Sequence, residues 1–69
     1  MDKSLYLDIL HNKGLTCEKL AEYMKISRNA LSKKLNGHIA LYVKDIILMC
    51  EFAGIDNAET ICKIFYISC

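Results

Sequence analysis

The stretch ISRNALSKKLNG, residues 26 to 37, gathers the side chains best equipped for chemistry in this sequence. At about 100° per residue, Arg28, Asn29, Ser32, Lys33 and Asn36 fall within one arc of roughly 140°, with Ala30, Leu31 and Leu35 opposite. Arg and Lys donate to guanine O6 and N7, Asn pairs bidentately with adenine, and a Ser hydroxyl suits a base edge or a phosphate, so the arc holds what reading a major groove requires. A merely solvated helix of this length would more often include Glu, and this one has none. The chemistry is recognition rather than bond making. No nucleophile and base stand at motif spacing, no glycine-rich loop cradles phosphate, and a helical chain of 69 residues has little room for a substrate pocket, so neither catalysis nor a cofactor is expected.

Such an arc works only if the rest of the chain holds it rigidly outward. The sequence has no proline, and Gly14, Gly37 and Gly54 each follow an apolar-periodic segment that a left-handed residue would close. Helix 1 is expected from about Ser4 to Lys13, with Leu5, Ile9 and Leu10 inward. Thr16 caps a second helix that ends near Met24, with Leu15 and Leu20 as a hydrophobic staple. Ser27 repeats the device for the third helix, with Ile26 against Leu31, and only Lys25 and Ile26 separate the end of the second helix from that cap. Ala21 is small enough to let their backbones approach. Helix 4 is expected from about Lys44 to Ala53 with Val43, Ile46, Ile47 and Cys50 on one face. Helix 5 opens on a capping box of Asp56 with Glu59 and carries Ile61, Ile64 and Phe65. No strand alternation or internal repeat is present.

Charge and cysteines narrow the reading. The net charge is only +1, but residues 25 to 44 hold Lys25, Arg28, Lys33, Lys34 and Lys44 and no acid, a segment of +5 between flanks that sum to −4. No apolar run nears the ~18 residues of a membrane span, and the N-terminus lacks a signal-peptide layout, which suggests a soluble cytoplasmic protein of one domain without a membrane partner. Cys17, Cys50, Cys62 and Cys69 show no C-x2-C spacing and lie far in sequence from His11 and His38, so they are read as free thiols and no metal site is expected.

The order of these motifs resembles a known family. LTCEKLAEYMKISRNALSKKLNG looks like the helix-turn-helix of the lambda-repressor/Cro family, within the xenobiotic-response-element-type regulators, and VKDIILMCEFAGI with AETICKIF extends the likeness over nearly the whole chain, as in short phage-encoded regulators. The resemblance implies an all-α, compact five-helix, lambda-repressor-like DNA-binding domain whose third helix enters the major groove of an operator while the second crosses the backbone. It places Arg28, Asn29, Ser32 and Lys33 at base edges, and Thr16, Cys17, Asn36 and Lys44 near phosphate. It implies a transcription repressor in a bacterial host's cytoplasm or nucleoid, with double-stranded DNA as partner and no small-molecule substrate. Four positions depart from the family: Cys17 stands where Gln is usual, Lys25 where Gly is favoured in the turn, and Leu10 and His11 where many relatives carry a phosphate-binding Arg.

Mean hydropathy is +0.20, high for so short a chain. Leu48, Met49 and Phe52, with Phe65 near the end, either finish the core or form a two-fold interface; the second alternative is adopted as the expectation, because a homodimer would present two recognition helices to half-sites ~34 Å apart. Tyr42 either packs or touches a backbone, and His38 is an exposed loop residue. A rival to the DNA reading is a protein-interaction module on the same fold, an anti-repressor or adaptor, working through the apolar C-terminal surface.

Overall fold

Each of the first three helices begins where a short polar side chain can accept a backbone N–H left without an intrahelical partner. The computed structural model describes residues 1–66, and over these the chain forms α1 (Lys3–Asn12), α2 (Cys17–Met24), α3 (Arg28–Leu35), α4 (Val43–Ala53) and α5 (Ala58–Phe65), with no strand. Asp2 accepts from Leu5 N at 3.1 Å, Thr16 Oγ1 from Lys19 N at 3.2 Å and Ser27 Oγ from Ala30 N at 3.1 Å. At α5 the expected Asp56 and Glu59 box does not form. Asn57 is the cap, its Oδ1 accepting from Glu59 N and Thr60 N, because Asn and Asp cap about equally well and two neighbouring positions compete for one start.

The core is one cluster drawn from all five helices: Tyr6 and Leu10 of α1, Leu20, Ala21 and Met24 of α2, Leu31 and Leu35 of α3, Met49 and Ala53 of α4, and Ile64 of α5. α2 lies at the centre, packed on α3 and α4, while α1 packs on α5. The Asp2 N–H donates to the Ile64 carbonyl at 2.6 Å and so ties the chain's start to α5. Tyr6 is fully buried although the sequence reading passed over it. Its ring lies 6.3 Å from that of Phe65, and its hydroxyl donates to the Met49 carbonyl at 2.8 Å, so burial of a phenol leaves no orphan donor. Burial pushes the Tyr6 hydroxyl well above its ordinary pKa and keeps it a donor.

α4 is turned from its expected orientation by roughly a third of a revolution. Its buried residues are Asp45, Met49, Cys50 and Ala53, with Leu48 and Phe52 half-buried against the core, whereas Val43 is 73% and Ile47 51% exposed. Met49, expected at a dimer surface, has no exposure left, and Leu48, Phe52 and Phe65 are partly spent on the core as well. The cause is Asp45, which hydrophobic patterning assigns to solvent. Its Oδ2 instead accepts from Lys34 Nζ at 2.9 Å and from Tyr42 N at 3.0 Å, which makes a charged side chain tolerable inside and lets α4 turn Met49 and Ala53 inward.

Two non-glycine residues stand in the left-handed region, Lys25 at φ 59° and Tyr66 at φ 57°. Lys25 closes α2 by donating its N–H to the Ala21 and Glu22 carbonyls, which makes the sharp passage into α3 possible without glycine. Gly54, at φ 68°, closes α4 in the same way, and Lys13 Nζ reaches the neighbouring Ala53 carbonyl, capping that helix end with a cation. Among the described residues no helix is long and apolar enough to cross a membrane. Cys17 and Cys50 are free thiols, but Cys62 is disulfide-bonded, against the expectation from spacing: absence of a metal-ligand spacing does not forbid a disulfide. Cys69 lies outside the described residues.

Candidate functional site

Leu31 and Leu35 are buried at one side of α3, so the helix can face only one way. That constraint sets Arg28, Asn29, Ser32, Lys33 and Asn36 outward, all five exposed, as the wheel requires. Because α3 starts at Arg28, the Arg28 and Asn29 side chains project from its first turn, with Ser27 turned back to cap it.

The neighbours of this face come from two other helices. A cleft of about 220 Å³ is lined by Lys3 and Leu7 of α1, Cys17 of α2, and Arg28, Leu31, Ser32 and Leu35 of α3. Lys3 Nζ donates to Asn36 Oδ1 at 2.8 Å, and Asn36 Nδ2 donates to Ser32 Oγ at 3.3 Å, so a chain of polar groups runs from the start of α1 along the outer face of α3. Lys3 is the residue the sequence reading missed. Its signal was faint, one cation in an acidic flank, at the first position of the helix that the fold sets beside α3. Cys17, half-buried at the first position of α2, has Arg28 and Ser32 across the cleft, while Thr16 is exposed with its hydroxyl engaged in the cap.

Two cations of the basic segment, of which only Lys44 was expected to meet phosphate, stand apart from this face. Lys34 belongs to the basic segment, but its ammonium is held by Asp45, accompanied by the Ala40 carbonyl at 3.4 Å and the Tyr42 ring at 5.4 Å, so it adds no open charge to the face. Burial pushes the Asp45 carboxyl up, but the Tyr42 N–H and the Lys34 ammonium outweigh it and hold the group below its usual value. Lys44 is exposed on the first turn of α4, where its charge acts on Asp45; no hydrogen bond or cleft among the described residues joins it to the outer face of α3. The open cations near the candidate face are therefore Lys3, Arg28 and Lys33, with no carboxylate among the cleft residues.

A second surface is apolar. A groove of about 530 Å³ between α4 and α5 is lined by Ile46, Ile47, Cys50, Ile55 and Ile61, with Glu51, Gly54 and Asp56 at its margin. Burial raises the Cys50 thiol's pKa and keeps it protonated. No group of His, Cys, Asp or Glu among the described residues is arranged to hold a metal ion. No family model, no curated protein and no solved structure matches this chain.

Proposed function

We propose that the protein is a sequence-specific double-stranded DNA-binding regulator whose α2 and α3 act as a helix-turn-helix of the lambda-repressor/Cro type, occupying an operator as a phage or prophage repressor does. α3 would enter the major groove, with Arg28, Asn29, Ser32 and Lys33 at base edges. Phosphate oxygens would be met by Lys3, by Asn36 and by the free N–H groups that open α2 behind Thr16 and Cys17. The observation that carries the reading is the outer face of α3: five exposed donors and acceptors, no acid, on a helix anchored by Leu31 and Leu35 and bordered by a cation from α1. The left-handed Lys25 supports it as well, since it joins the two helices across three residues.

The test is selection from randomised duplex DNA at near-physiological salt, followed by a salt titration on the retained sequence. A shared motif bound with a steep salt slope is the expected result. Binding without enrichment would overturn the reading and favour the second one, a protein-interaction module, for which the apolar groove between α4 and α5 is the specific observation.

A further inference from the structure

Arg28, Ser32 and Asn36 are spaced four apart and stand in one row along the outer face of α3, with Ser32 in the middle. Asn36 caps the helix, and its backbone N–H still donates to the Ser32 carbonyl at 3.0 Å, which keeps its side chain over that residue. By shape alone the Asn36 amide fits either way round, its oxygen and nitrogen being nearly alike. Lys3 decides between the two. An ammonium has only protons to offer, so the atom 2.8 Å from Lys3 Nζ is the amide oxygen, Oδ1, and Nδ2 is left to donate to Ser32 Oγ at 3.3 Å. A Ser32 oxygen that accepts from Asn36 turns its own proton away from it, and no described residue takes that proton: the cleft beside it holds Lys3, Cys17 and Arg28 but no carboxylate.

We infer, resting on the DNA reading above, that Asn36 is a positioning residue that holds Ser32 as a hydrogen-bond donor, so that Ser32 reads a keto oxygen, guanine O6 or thymine O4, and discriminates against the exocyclic amines of adenine and cytosine. An unrestrained serine hydroxyl serves either kind of base, because it donates and accepts. The relay that starts at Lys3 removes that freedom before DNA arrives, so the hydroxyl need not be ordered at binding. Lys3 sustains the relay with one of its three N–H groups and keeps two for phosphate. On DNA, the phosphate proposed to meet Asn36 can only accept, so it requires the same amide nitrogen, and the polarity outlasts any weakening of the Lys3 contact.

The test is selection from randomised duplex DNA with the wild type, Ser32→Ala, Asn36→Asp, Asn36→Ala and the double change of Ser32→Ala with Asn36→Asp, helicity being followed by circular dichroism. Asn36 is exposed, so its replacement leaves the core untouched. A carboxylate can only accept: in Asn36→Asp one oxygen keeps Lys3 and the other takes the Ser32 proton, which leaves the Ser32 oxygen to face the base. Ser32→Ala should flatten one base pair of the wild-type motif and so identify the pair that Ser32 reads. At that pair Asn36→Asp should exchange the preferred base, guanine or thymine giving way to adenine or cytosine on the same strand, by about threefold to tenfold, the range of one net hydrogen bond. Asn36→Ala, which adds no charge, should relax the preference there without reversing it. A role confined to phosphate or to helix capping would weaken every sequence alike and exchange nothing. A motif whose Ser32 pair is unmoved by both Asn36 changes, or an exchange that persists in the double change, would overturn the assignment and spare the DNA reading, as would a motif that Ser32→Ala leaves intact. A wild type that selects no motif would remove the DNA reading itself, and this assignment with it.

Discussion

Replacing Lys34 by Met tests what holds α3 to α4. The Met side chain keeps most of the apolar stem, so the change removes chiefly the ammonium and its contacts to Asp45 Oδ2 at 2.9 Å and the Ala40 carbonyl at 3.4 Å. Asp45 retains the Tyr42 N–H but loses its counter-charge in a place where its side chain is 7% exposed and that of Lys34 was 12%. Orphaning one partner of a fully buried pair costs about 3–5 kcal/mol and of an exposed pair about 0–1. With one hydrogen bond kept and a thin route to water, about 2 kcal/mol is expected at neutral pH, or about 8–16 °C in Tm for a domain of this size. The pH dependence gives the cause away. In the wild type the Asp45 pKa is depressed, so the stability it contributes is present above the unfolded value of about 3.9 and is lost as pH falls through the folded one. In Lys34→Met burial acts with less opposition, the carboxyl moves up, and acid relieves the variant. The difference between the two proteins should therefore be largest at neutral pH and shrink below about pH 4, measured by urea unfolding followed by circular dichroism. A difference under about 0.5 kcal/mol at neutral pH, or one that stays constant down to about pH 3, would refute the reasoning.

Arg28→Ala should cost about 1–3 kcal/mol on the selected DNA and relax preference at one base pair, whereas Lys3→Ala should weaken operator and random DNA alike and lower the salt slope by about one; equal losses on both DNAs for Arg28→Ala would remove it from base reading. Tyr6→Phe removes the hydroxyl that reaches the Met49 carbonyl but keeps the ring against Phe65, so stability should drop by about 1 kcal/mol in chemical denaturation, and no change would mean the bond contributes nothing net. Lys25→Gly relieves a left-handed residue at about 1–2 kcal/mol while adding freedom to the unfolded chain worth about 0.4–1, so a net gain of about 0.5–1 kcal/mol is expected, and a loss would show that the Lys25 side chain contributes packing.

Where polar residues punctuate the chain, the sequence was explicit. Thr16 and Ser27 are the caps that their positions suggested, and α3 shows the division between Leu31 and Leu35 inside and its polar residues outside because half of its surface is unambiguously hydrophilic. α4 offered no such contrast. Val43, Ile46, Ile47, Leu48, Met49 and Cys50 crowd every side of it, so periodicity could not name the inner face, and the one acid in the first turn pointed the wrong way. Only its partner decides that Asp45 goes inside, and that partner, Lys34, is eleven residues earlier on another helix. Lys34 did leave a trace, since it falls between Ala30 and Leu31 on the helical wheel of α3, within an otherwise apolar arc. Lys3 was illegible for a different reason: its place beside Asn36 follows from the packing of helices distant in the chain, which no local pattern encodes.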